Sequence, residues 1–145
     1  MEFAVALDRV IAAPRSKVYR AWLDPEVLAR WMGPDNFSVV VATVDERIGG
    51  AHYIEMLDSG GDRHTFESVI EELVPDERIV LTWRFHHDGL DTLLTLTFRD
   101  AEGGGTQLRL EHERITLEPP LDGQSVDTGW SQTLAKLQAL FDDKE

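Results

Sequence analysis

Two of the five histidines in this chain, His52 and His112, stand where an imidazole has chemistry to do. A general base near neutral pH is most often a histidine. His52 alternates with Ile54 and Met56, and His112 with Leu108 and Leu110. Alternate residues of a strand share a face, so both rings belong on an apolar one. There each would either orient a polar group of a bound molecule or be satisfied within the core. His86, His87 and Asp88 stand together like metal ligands, but neighbours on a strand point to opposite faces and a turn follows, so no metal site is expected. A serine triad needs nucleophile, base and carboxylate within reach of one another. No serine sits in a Gly-x-Ser-x-Gly elbow. Ser68 is the serine expected inside, as a polar contact or as a small residue leaving room for a bend or a helix. The glycines at 60–61 and 103–105 occupy hairpin turns and do not open helices, so neither a phosphate loop nor a nucleotide or other cofactor is indicated.

Composition narrows the function classes. With no cysteine there is no disulfide, thiolate metal site or cysteine nucleophile, and a cytoplasmic location is expected. Lys and Arg number 14 against 27 Asp and Glu, a formal charge of -13. That field repels phosphate backbones, which argues against nucleic acid and reads as a solvated acidic surface, with a docking face for a basic partner as the lesser alternative. The start, "MEFAVALDRVIAAP", interrupts its apolar residues with Asp8 and Arg9 and reads as a strand instead of a signal peptide. No apolar run approaches the ~20 residues of a membrane helix, so no membrane insertion is expected.

The elements that must hold the histidines follow from period and turn chemistry. Residues 3–12 suit a first strand, stopped at Ala13-Pro14. Val18, Ala21 and Trp22 then recur at helical spacing, and Pro25 opens a second short helix with Val27, Leu28 and Trp31 on its apolar side, closed by Gly33-Pro34. Strands are predicted at 37–47, 51–58, 64–74, 78–87, 92–100 and 106–116. Turns at Gly49-Gly50, 58–62, 75–77, 87–89 and 102–105 join them into an antiparallel meander. Ile79, Leu81, Trp83 and Phe85 share one face, and Leu94, Leu96 and Phe98 alternate with threonines. After Pro119-Pro120, Val126, Trp130, Leu134, Leu137 and Phe141 form one stripe of a helix of about 20 residues. Asp45, Arg47 and Glu72 are expected to form ion pairs holding two hairpins together, with catalysis by Glu72 a distant alternative. Gly129, inside a helix at a cost of about 0.8–1 kcal/mol, implies tight packing on a bulky sheet residue or space left for a ligand.

The stretches "APRSKVYRAWLDPEVLARWMGP" (13–34), "DERIGG" (45–50), Phe66-x-Ser68, "ELVPDERIVLTW" (72–83), "GGT" (104–106) and Gly129-Trp130 occur in an order that resembles one family. The chain is similar to the START-like, or SRPBCC, superfamily, in the group of homologues of the C-terminal domain of the heat-shock protein 90 ATPase activator. The resemblance implies an α+β helix-grip fold. A curved antiparallel sheet of about seven strands would surround a long C-terminal helix, with two short helices after strand 1, as one domain over 1–145. It also implies a hydrophobic ligand or partner pocket between sheet and helix, but no shared reaction. The chain departs from the family's usual pattern at Met32, where an aromatic residue is common, at His52, where a large aromatic is usual, and at Ser68, in place of a frequent glycine.

The expected function is reversible, non-catalytic binding of a hydrophobic or aromatic small molecule. Trp22, Trp31, Phe66, Trp83, Phe85 and Trp130 would supply aromatic contact. Ile54, Met56, Ile70 and Leu81 would form the apolar wall, and His52, Ser68 and His112 the orienting hydrogen bonds. Trp22 and Trp31 should border the entrance, with Trp83 and Trp130 deeper. The alternatives are a cyclase or hydrolase of polyketide-like or aromatic substrates, with His52 or His112 as base, and a protein-interaction module acting on a chaperone. An exposed edge strand would allow a homodimer.

Overall fold

In the computed structural model, residues 3–84, 91–115 and 123–142 are described. The first strand, β1 (Phe3–Ile11), is followed by α1 (Arg15–Ala21) and α2 (Pro25–Trp31). Then come six strands, β2 (Ser38–Val44), β3 (Ala51–Leu57), β4 (Arg63–Val74), β5 (Arg78–Arg84), β6 (Asp91–Asp100) and β7 (Thr106–Ile115), and a 20-residue helix, α3 (Gly123–Asp142). The expected order of elements is the observed one, and the curved sheet with its C-terminal helix is the helix-grip architecture. The turn expected at 87–89, the row His86, His87 and Asp88, and the Pro119-Pro120 boundary lie outside the described residues.

All seven strands are antiparallel in one sheet, ordered β1-β7-β6-β5-β4-β3-β2. Consecutive strands from β2 to β7 are hairpin partners, and β1 returns to pair with β7. The α1–α2 pair therefore carries the chain from one edge of the sheet to the other. Register shifts between Val39 and Val41 and between Ile70 and Glu72 each place one extra residue in a strand. Such bulges bend a strand and deepen its twist, which curves the sheet inward.

The turn between the short helices works as its composition dictates. Asp24 caps α2, its Oδ1 accepting the Glu26 N–H at 3.0 Å, and Pro25 takes the first helical position, where no donor is missed. Trp22 falls just past α1, as its C-cap. The core gathers Val18, Leu28 and Trp31 from the short helices, the inner face of the sheet, and Trp130, Leu134 and Leu137 from α3. Tyr19 adds an edge-on contact with Phe98 at 5.7 Å.

Two expectations are corrected. The ion pairs at Asp45, Arg47 and Glu72 do not link hairpins: Arg47 pairs with Asp45 inside one turn at 2.8 Å, and Glu72 with Arg78 across the β4–β5 hairpin at 2.6 Å. Both are exposed, which makes them worth about 0–1 kcal/mol. Gly129 does not pack tightly on a sheet residue either. A Cβ there would meet only Pro34 Cγ at 3.6 Å, an ordinary contact with the loop after α2. At Gly50, by contrast, a Cβ would lie 2.0 Å from the Asp45 carbonyl oxygen.

Gly50→Ala should therefore lower the stability to urea by about 1–3 kcal/mol, whereas Gly129→Ala should leave it unchanged or raise it by up to about 1 kcal/mol. Equal losses in the two variants would contradict the packing described here.

Candidate ligand-binding site

One row across the inner face of the sheet carries the polar groups. Val44 pairs with His52, His52 with Ser68, and Trp83 with Thr92, while the register that pairs Glu67 with Arg84 sets Ser68 beside Trp83. The row thus runs Val44, His52, Ser68, Trp83, Thr92 from β2 to β6. On one side of it lie Ala42, Ile54 and Phe66, and on the other Ile70, Leu81, Leu94 and His112. His52, Ser68, Thr92 and His112 are all buried.

At the β6 end the row is closed by a directed chain of hydrogen bonds. The Trp130 indole N–H donates to His112 Nδ1 at 3.0 Å, which leaves the imidazole proton on Nε2. That nitrogen lies 2.6 Å from Thr92 Oγ1, and the Thr92 hydroxyl donates in turn to the Trp83 carbonyl at 2.5 Å. A second proton on His112 would set a donor against the indole N–H. Burial pushes the His112 pKa down to about 3. With a partner on each ring nitrogen and the neutral form enforced, His112 is a structural group and a poor base.

At the β3 end the row is open. His52 Nε2 lies 2.9 Å from the Trp22 carbonyl oxygen, which only accepts, so Nε2 carries the proton and Nδ1 presents a lone pair. His52 Nδ1, Ser68 Oγ and Trp22 Nε1 are buried and have no hydrogen-bond partner among the described residues. Burial holds the His52 pKa below its ordinary value, against smaller raising effects of the Trp22 carbonyl and of its own backbone, so the ring is neutral. Most buried polar atoms are paired, and these three exceptions require an explanation.

Aromatic rings surround this open end. Trp22 meets Trp31 edge-on at 4.6 Å and Trp130 at 6.2 Å. Trp130 lies 5.4 Å from Trp83, which stacks on Phe66 at 5.4 Å. Trp31 anchors its indole N–H on the Ala21 carbonyl at 3.1 Å, locking the corner between the short helices.

Of the expected site residues, Trp22, Trp31, His52, Ser68, Phe66, Trp83, His112 and Trp130 come together through these contacts. Ile54, Ile70 and Leu81 flank them, fully buried. Met56 lies under the loop after α2, where a Cβ on Gly33 would approach its sulfur. Phe85 lies outside the described residues. The expected depth of the tryptophans is reversed: Trp22 and Trp31 are 0% and 1% exposed, Trp83 and Trp130 4% and 7%. Asp24 capping and the Trp31 anchor pull the corner inward, so it plugs the sheet and is no rim. Sequence reasoning missed Thr92, although it has the parity of Leu94, Leu96 and Phe98, the signal that marks the inner face. A separate surface cleft of about 440 Å3, lined by Arg15, Glu77, Arg78, Arg99 and Asp100 among others, lies at the opposite end of β5 and contains none of the expected residues. Among the described residues no group of three metal-ligating side chains is present, and no helix is long and apolar enough to cross a membrane.

Residues 12–142 match the family described as Activator of Hsp90 ATPase homolog 1-like protein. The chain belongs to that family. A protein from Chromobacterium violaceum is 38% identical in its crystal structure, with a TM-score of 0.87 over 97% of this chain and 98% of that one. The AHSA1 protein from Silicibacter pomeroyi is 22% identical, with a TM-score of 0.75 over 95% and 96% of the two chains, a likeness of fold alone. No curated protein matches the chain. Family membership accounts for the helix-grip architecture and assigns no ligand to the row of His52 and Ser68.

Thr92→Val should cost about 1–3 kcal/mol in urea unfolding, because it leaves His112 Nε2–H and the Trp83 carbonyl each short of a partner. A loss below the scatter of repeat measurements would remove the hydrogen-bonded chain. The histidines also set a pH dependence. Both pKa values are depressed in the folded state, so the unfolded chain binds protons that the folded one refuses, and stability falls as pH drops. Their contribution should be complete above the unfolded value near 6.5 and be lost on acidification, for His112 down to about 3. The slope should approach ~1.4 kcal/mol per pH unit for each histidine. Replacing His112 by Asn should flatten the stability–pH profile between about pH 6 and pH 4. An unchanged profile would contradict the assignment.

Proposed function

We propose that this protein reversibly binds a hydrophobic or aromatic small molecule between the curved sheet and α3, without covalent chemistry, as a cytoplasmic protein of one domain. The observation that carries this reading is the trio of buried, unpartnered polar atoms, Trp22 Nε1, His52 Nδ1 and Ser68 Oγ, set among aromatic rings. Small-molecule sites have this composition: apolar and aromatic walls, with a few polar groups that fix orientation. Burial of the ligand's apolar surface, at about 25 cal/mol per Å2 before the costs of association, drives binding. Catalysis is disfavoured by the histidines themselves, since burial lowers the basicity of both.

Native mass spectrometry of the purified protein and tryptophan fluorescence against a panel of lipids and aromatic compounds test this reading. A bound mass or a saturable change in emission at micromolar concentration is expected, because four tryptophans belong to the site. If no compound perturbs the emission and the protein flies at the mass of its chain alone, the reading fails. The family's description names a chaperone ATPase, so Hsp90 belongs in the same assays, where no association at micromolar concentration is expected.

A further inference from the structure

The open end of the polar row has a donor and acceptor pattern specific enough to name the group it takes. We infer that Trp22, His52 and Ser68 recognise a hydroxyl group, alcohol or phenol, carried on the apolar or aromatic body of the ligand. The inference rests on the binding reading above and deepens it.

His52 stands between the other two residues, bonded to the backbone of Trp22 at 2.9 Å and paired with Ser68 across β3 and β4. Each of the three atoms has a fixed or limited capacity. The Trp22 indole N–H only donates. His52 Nδ1 only accepts, because Nε2–H is committed to the Trp22 carbonyl and burial keeps the ring neutral. Ser68 Oγ does either. A group satisfying all three must therefore accept from Trp22, donate to His52 and complete its valence with Ser68. A hydroxyl oxygen does this from one atom.

A carbonyl, an ammonium and a carboxylate fail by count. A ketone or ester oxygen accepts from Trp22 and Ser68 but leaves the His52 lone pair unpaired. An ammonium donates to His52 and Ser68 but offers nothing to the Trp22 N–H. A carboxylate presents two acceptors to the His52 lone pair, and would bring an uncompensated charge into a site whose described polar partners are all neutral. The formal charge of -13 on the chain opposes an anion further. A site built to hydrogen-bond a hydroxyl rejects analogues lacking it more strongly than an apolar pocket discriminates by size, because its own buried groups are then left unpaired.

The test uses bodies matched in shape: naphthalene, 2-naphthol, 2-naphthoate and 2-acetonaphthone, with biphenyl and its 4-hydroxy, 4-carboxylate and 4-acetyl derivatives as a second set. Affinities are measured by calorimetry, and the indole N–H resonances are followed by NMR. The hydroxyl compound of each set should bind about 10- to 100-fold more tightly than the other members. The Trp22 Nε1–H resonance should move downfield with the hydroxyl compounds and not with the hydrocarbons. Ser68→Ala should erode the preference by weakening binding of the hydroxyl compounds relative to the hydrocarbons. Because this variant removes a buried hydroxyl without a partner, it should melt at or above the temperature of the parent, so the comparison does not depend on a damaged fold. Trp22→Phe should reduce the preference in the same way. Equal affinity for hydroxyl compound and hydrocarbon, or a preference that survives both substitutions, would overturn the inference while leaving the binding reading in place. A water signal on the Trp22 indole N–H that persists at saturating 2-naphthol would overturn it too, since the three groups would then serve a structural water. Failure of every body to bind would count against the binding reading itself.

Discussion

The structure depends on covering one apolar face that is wider than any single helix. Seven strands at about 4.8 Å spacing span roughly 29 Å, whereas a helix with its side chains is about 10–12 Å across. A flat sheet would leave most of its apolar face in water. Bulges at Val40 and Glu71 bend the sheet around α3, and the α1–α2 corner, brought across between the two edges, fills what α3 does not reach. Trp22 and Trp31 are the bulk of that filling, and their edge-on contact is what makes the corner wide enough.

The polar row beneath them divides into two halves with opposite logic. On the β6 side, Trp130, His112, Thr92 and the Trp83 carbonyl use each donor once and point in one direction. Such a network fixes its members because any rotation leaves a buried group unpaired. On the β3 side, one hydrogen bond ties His52 to the end of α1 and stops there. Leaving polar atoms unmatched opposes folding, so the half that is complete supplies rigidity and the half that is incomplete costs stability.

Much of this was legible in the sequence. Period and turn chemistry placed every described element: Asp24-Pro25 at the helix junction, Gly49-Gly50 at a tight turn, and alternation along β3, β5 and β7 that turned His52, Leu81 and His112 inward. Pattern alone was less informative about depth and about partners. Trp22 and Trp31 read as a rim because short helices near a sheet edge suggest one, and their burial depends on how far the corner sinks, which no local spacing encodes. The ion pairs of Arg47 and Glu72 turned out to be local because long side chains take the nearest carboxylate. Which histidine is saturated depends on Thr92 and Trp130, residues far from His112 in sequence, and on the direction of each hydrogen bond, which a string of letters does not carry.

The pairing of the first strand with the last sets the order in which this fold can be made. Roughly 100 residues separate β1 from its partner on β7, and contacts so distant in sequence slow the search for the native topology. During synthesis, at about 5–20 residues per second, β1 leaves the ribosome roughly 5–20 s before β7 exists. Through that interval its paired edge and the apolar side of Val5 and Ile11 have nothing to join. The helix that must fill the sheet arrives later still, so the core closes only once α3 has been made, in one late step.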